Sequence, residues 1–194
     1  MGRGVAGRRA CLLLAALAGC GAAAAAPHVY ALDPANTHVH WEVRHFGTST
    51  SRGRFDAIAG SVTLDREARR GSASISVGTA SVSTGIAPFD GVLRGPLLLA
   101  SADHPSAYFV AQQFAFDGDK VASVTGEFTL RGVSRPLTLK ALRFLCHPEG
   151  EPVREVCGGD FEAELERGEF GITHALPFVA GRVRLVVQVE ATRQ

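Results

Sequence analysis

Histidine and cysteine are the side chains of this sequence with the widest chemical reach, seven of the first and four of the second. His38 and His40 stand two apart in a segment of alternating pattern, so both project from one face of a strand, as metal ligands often do. His45 has the opposite parity and cannot simply join them, and no third ligand lies within reach in the sequence. A metal-dependent envelope enzyme built on His38 and His40 is therefore the weaker reading. Cys146 and Cys157 enclose ten residues with two prolines and a glycine, which read as a loop between strands closed by one disulfide. A zinc site sharing His147 is the alternative for these thiols. There is no Gly-x-Ser-x-Gly, no cysteine with an evident catalytic partner, no glycine loop to cradle phosphate, and no acid and base arrangement among the histidines. The expectation is a protein that is not an enzyme and takes no cofactor.

The elements that would position these groups are strands. Between Val39 and Leu64 the chain reads as a strand, a glycine-flanked bend and a second strand, with Val39, Trp41, Val43 and His45 on one face and His40, Glu42 and Arg44 on the other. Asp65 to Gly71 reads as a solvated hairpin loop, and Gly78 as a bulge where the apolar parity shifts. Only Ile86 to Pro105 has helical spacing, cut short by Gly91, Gly95 and Pro96. Asp117-Gly118-Asp119 marks a hairpin, Ala122, Val124, Gly126, Phe128 and Leu130 form the next inward row, and Gly132 to Pro136 turns the chain again. Asp160, Glu162, Glu164 and Glu166 read as a solvated face, and Val183 to Ala191 alternates most cleanly of all. About eight strands with one wet face favour an all-β antiparallel barrel with one short helical segment, because closure removes both exposed sheet edges.

The N-terminus asks to be set apart from that fold. Arg3, Arg8 and Arg9 precede an apolar run too short to span a bilayer as a permanent helix, the pattern of an export signal. Leu17-Ala18-Gly19-Cys20 at its end reads as a lipobox, giving a signal over 1–19 with Cys20 acylated, a short linker over 20–29 and a folded domain over 30–192. Ordinary cleavage near residue 25 is the alternative. The expected location is the periplasm, with tethering to the outer membrane through Cys20. Lys and Arg number 20 against 19 Asp and Glu, a formal charge of +1, which argues against a nucleic-acid partner. A homodimer is left open.

The order and spacing of several short motifs resemble the YceI-like, polyisoprenoid-binding family of exported bacterial proteins. They are Tyr30-x-Leu32-Asp33 with Thr37-His38, Val43-x-His45-x-Gly47, Gly53-x-Phe55, Gly60, the run from Val124 to Pro136, and Arg167-x-x-Phe170-Gly171-Ile172. The resemblance covers Tyr30 to Ala191 and implies a lipocalin-like barrel whose elongated apolar cavity holds a long-chain isoprenoid or fatty-acyl ligand. Between Phe89 and His104 the chain departs from the family pattern, with Val92-Leu93 and Leu97-Leu98-Leu99 in place of a His-Leu and an aromatic pair.

Together these readings give a set of candidate ligand contacts: Trp41, Val43, His45, Phe55, Val77, Phe109, Phe114, Phe116, Phe128, Leu139, Phe144, Arg167 and Phe170. His45 and Arg167 are the polar members, candidates for the ligand's head group, with a core histidine and an arginine paired to Glu164 or Glu166 as their structural alternatives. Small inward residues at Ala73, Ala80, Gly126, Ala141, Ala163 and Ala191 would leave interior room that a packed core fills. The readings that compete with a lipid carrier are the His38/His40 enzyme and a packed, stress-related interaction protein without ligand.

Overall fold

A computed structural model describes residues 1–2 and 26–194, so the apolar run and Cys20 of the expected export signal lie outside the described residues. Period-two alternation carries the chain through β1 (His28–Leu32), β2 (His38–His45), β3 (Ser49–Phe55), β4 (Ile58–Asp65), β5 (Arg70–Gly78) and β6 (Val82–Ser83). The helix α1 (Ala87–Arg94) follows, then β7 (Ser106–Asp117), β8 (Lys120–Leu130), β9 (Val133–Glu149), β10 (Arg154–Glu166) and β11 (Val179–Arg193). All pairings among the described residues are antiparallel, and β1 pairs with both β4 and β11, which closes the sheet on itself. The short strands are kinked halves of longer ones. β11 holds β2 along its first part and β1 at its end, while β3 with β4 runs beside β6 with β5. The result is the expected eight-stranded barrel, in which closure takes the place of exposed sheet edges.

The kinks have local causes. β3 gives way to β4 at Asp56 and Ala57, whose amides both donate to Ser81 Oγ, at 3.1 and 3.0 Å. Opposite them, β5 ends at Gly78 and passes through a 3₁₀ turn, Thr79–Ser81, so the bulge expected at Gly78 is instead a strand end. Thr79 is 1% exposed and its hydroxyl donates to His104 O at 2.7 Å, which pins that corner to the long connection after α1. Farther on, true bulges fall where the sequence did not mark them. Gln112 on β7, Ala122 on β8 and Leu142 on β9 are each extra to the ladder. The bulge at Ala122 puts Val121, buried at 3% exposure, in the inward place expected of Ala122.

Two loops are shorter than the turn residues suggested. Arg131 and Gly132 alone turn the chain, and Pro136 already sits in β9, opposite Glu127. The ten residues between the cysteines are mostly strand, with only positions 150–153 between β9 and β10, so Cys146 and Cys157 are direct cross-strand partners joined by a disulfide. With a sequence separation of 11, that bridge stabilises by about 3 kcal/mol in the chain-entropy account.

Outside, the acidic row of β10 is the solvated face expected, answered by arginines on neighbouring strands. Arg52, Glu42, Arg184 and Glu162 form one ladder across four strands at 2.7, 3.3 and 3.0 Å. The hydrogen bond from Arg52 holds the Glu42 carboxyl below its ordinary value. Exposed pairs of this kind contribute little singly, and the ladder's main effect is to fix which face of each strand is wet.

Candidate ligand-binding cavity

Eight strands with one apolar face leave an interior that side chains can fill or leave open. Here it is open, a cavity of about 450 Å³, within the size range of lipid and cofactor sites. From β2 come Trp41, Val43 and His45; from the other strands Phe55, Val77, Phe109, Phe114, Phe128, Leu139 and Phe144; from the 3₁₀ turn after β10, Arg167. Among the described residues no aspartate, glutamate or lysine lines it, and Arg167 is the only formally charged side chain on the wall. Such a surface accepts hydrocarbon along its whole length without asking for directional partners.

Two candidates are not on the wall. Phe116 lies past the second register shift of β7, half-buried beside Phe114 at 6.5 Å between ring centroids. Phe170 is 2% exposed and stands edge-on to Phe128 at 5.6 Å, supporting the wall from the turn that precedes β11. The small residues divide likewise. Ala73 and Ala191 face the cavity, Ala80 is exposed, and Ala141 and Ala163 pack within the wall without lining the space. Gly126 answers a different need: a Cβ there would collide with Val110 O and Ala111 on the bulged strand β7. Gly53 has a similar cause, since Trp41 is its cross-strand partner and the indole covers the place of a side chain.

The two ends of the cavity differ. At the end holding the disulfide, Tyr30 is 1% exposed and its hydroxyl donates to Glu155 Oε2 at 2.5 Å, while Arg66 pairs with the other carboxylate oxygen. Burial first, and then the hydrogen bond to Glu155, push the Tyr30 phenol up from 10.0 to about 12. The sign follows: this tyrosine's contribution is complete below pH 10.0 and is lost as pH rises toward about 12, by roughly 2–3 kcal/mol. Urea denaturation in that window is expected to show the loss in the wild type and not in Tyr30→Phe, and identical alkaline slopes would remove the assignment.

The opposite end is open, bordered by His45 and Ser51, by Phe89 and Val92 of α1, and by His174 and Ala175 before β11. Arg167 anchors this rim. It is 6% exposed, and its guanidinium donates to Ala180 O, Ile172 O, His174 O and Val179 O at 2.8, 3.0, 2.9 and 2.9 Å. The expected partner acids are taken by Arg182 instead, so the surface-pair alternative for Arg167 is corrected. Burial draws the guanidinium below its ordinary value. The rim residues Ser51, His174, Leu98 and Leu99 were not among the sequence candidates. The leucine run was the visible signal for the last two, standing where the chain departs from its family; nothing local marks the others.

His38 and His40 lie on the outer face of β2, ring centroids 6.2 Å apart. Among the described residues the one group of three metal-ligating side chains is Cys146, Glu155 and Cys157, and it contains neither histidine. Its two sulfurs are bonded to each other, which leaves no thiolate pair for the zinc alternative.

Comparison with known proteins agrees with this architecture. Protein YceI of Escherichia coli O157:H7 is 29% identical over 168 residues, covering 85% of this chain and 87% of the relative. A UPF0312 protein of Pseudomonas aeruginosa (strain LESB58) is 30% identical over the same length, with the same coverage. Among solved structures, Burkholderia cenocepacia BcnA superposes with a TM-score of 0.69 at 22% identity, covering 83% of this chain and 99% of that one. A polyisoprenoid binding domain from Saccharophagus degradans, implicated in plant cell wall breakdown, superposes at 0.57 with 15% identity, covering 85% and 98%. Residues 30–191 match the YceI-like domain, and the chain belongs to that family.

Proposed function

We propose that this protein is an exported, non-catalytic carrier that holds a long-chain polyisoprenoid or similar single-chain amphiphile in its barrel. The observation that carries the reading is the acid-free apolar cavity of about 450 Å³ that runs through the barrel's interior. At about 0.8 kcal/mol per buried methylene, a chain of even ten carbons gains enough to offset its loss of freedom. The binding domain of the S. degradans protein supports the choice of a polyprenyl chain over a compact ligand. The sequence at Leu17 to Cys20 supports a lipid tether in the cell envelope, and Gly21 after the cysteine favours the outer membrane.

Mass spectrometry of organic extracts from gently purified protein is expected to find a stoichiometric long-chain lipid. A barrel that arrives empty and takes up neither a polyprenyl nor a fatty-acyl probe would sink the proposal. Cys20→Ser is expected to move the protein from the membrane fraction to the soluble one, and unchanged fractionation would refute the tether while leaving the carrier untouched.

A further inference from the structure

The loops that surround the open end carry an unusual share of exposed apolar surface. Phe46 and Phe178, 60% and 61% exposed, stack on each other at 5.5 Å between ring centroids, one from the turn after β2 and one from the segment before β11. Ile86, Phe89 and Val92 of the α1 region and Leu97 after it are exposed beside the same opening. Phe89 and Val92 also line the cavity, so at α1 the outer apolar surface runs on into the inner wall. Phe46 is held at φ 50°, a conformation uncommon for a bulky residue. Monomeric proteins seldom display a patch of aromatic and aliphatic side chains in this way unless something covers it.

Charge says what covers it. Segments 44–52, 84–101, 131–135 and 171–180 ring the opening and contain arginines at 44, 52, 94, 131 and 135, with a single acid, Asp90. Asp90 is 8% exposed and spent on Thr84, accepting from its amide and hydroxyl at 2.7 and 2.6 Å. The exposed Asp103 and Glu169 lie in the same connections, between α1 and β7 and between β10 and β11, and leave the arginines in excess. Arg52 is paired with Glu42, and Arg131 is held by the carbonyls of Pro96 and Leu98, whereas Arg44 is exposed and Arg94, also exposed, donates to Ala80 O at 3.2 Å. Aromatic side chains with arginines around them are the composition of a surface that sits at the headgroup level of an anionic bilayer.

We infer that the open end of the barrel docks on an anionic lipid bilayer, with Phe46 and Phe178 as the inserted pair and Arg44 and Arg94 facing the headgroups. Docked so, the cavity opens directly into the acyl region, and a chain with negligible aqueous solubility moves between bilayer and barrel without crossing water. This goes beyond the carrier reading and is measured separately from it.

The test uses the chain from Ala26 onward, which contains every strand that closes the barrel. It is sedimented with vesicles of phosphatidylcholine alone or mixed with phosphatidylglycerol, and uptake of a fluorescent fatty-acyl probe is read in parallel. Wild-type protein is expected on the mixed vesicles about tenfold more than on the neutral ones. Phe46→Asn with Phe178→Ser, substitutions at residues outside the cavity, is expected to lower vesicle binding about tenfold or more with probe uptake unchanged. Arg44→Glu with Arg94→Glu is expected to abolish the preference for the anionic vesicles. Equal vesicle binding by wild type and the aromatic variant would overturn the inference, as would wild-type protein that takes up probe and ignores both vesicles. A dimer that the aromatic variant dissolves, with no vesicle binding, would assign the patch to a second copy instead. Loss of probe uptake with docking intact would count against the carrier and not against the docking.

Discussion

Arg167→Met is expected to lower stability by about 3–5 kcal/mol and Arg167→Lys by about 2–3 kcal/mol, the largest effects of any single substitution at the rim. The guanidinium meets four carbonyls of the segment between Ile172 and Ala180 and no carboxylate, so the methionine variant leaves all four acceptors without donors. Lysine keeps the charge and offers three donors from one point, which cannot reach carbonyls spread around a planar fork. Water entering from the open end will satisfy part of what is lost, which holds the cost below the sum of four buried acceptors. Urea denaturation gives the stability, and amide exchange should rise first at residues 172–180. Both variants within 0.5 kcal/mol of wild type, a threshold of roughly the size of an ordinary surface substitution, would show that the four contacts are incidental.

Ala73→Phe is expected to weaken binding of a long-chain lipid by about 100-fold with the barrel as stable as before or slightly more so. Ala73 is 7% exposed and faces the cavity from β5, between Val62 of β4 and Ala111 of β7. A phenyl ring there takes space that would otherwise hold hydrocarbon, and excluding about four methylenes at about 0.8 kcal/mol each amounts to ~3 kcal/mol of lost contact. Filling a void costs little where the added group meets no wall. Ala80→Phe is the control, because Ala80 is exposed in the 3₁₀ turn and should leave the affinity as it was. Lipid titration of the three proteins decides it, and an Ala73→Phe barrel that binds like wild type would mean that the cavity is not the ligand's place.

What the sequence made legible follows from period. Wherever pairing is regular, as between β2 and β3, alternation assigned Trp41, Val43 and His45 to the interior before any partner strand was known. It failed where one residue is extra. Ala122 looked inward by counting, and the bulge turned Val121 in instead, because a register shift depends on the neighbouring strand and leaves no local mark. Turn residues misled in the cysteine segment, where Pro148 lies within β9 opposite Glu155 near the end of the ladder. Arg167 was singled out by its place in a family motif, yet its four carbonyl partners belong to a segment up to 13 residues away that has no periodic pattern at all. Phe170 shows the limit from the other side: a buried aromatic of the right type, set behind another aromatic, is indistinguishable in one dimension from one that faces the space.

The chain starts its fold at the disulfide end, where His28 pairs across to Leu64 and Gln194 N donates to Val29 O, while the cavity opens at the far end, where β11 begins. A barrel moored by the tether proposed for Cys20 is therefore held by its stern. The few residues between Cys20 and His28 are shorter, even fully stretched, than the fifteen-residue strand that separates mooring from mouth. With that tether the mouth points away from the membrane that holds the barrel, so the bilayer on which it docks would be a second one, and a carrier so held would pass lipid between two surfaces and not within one.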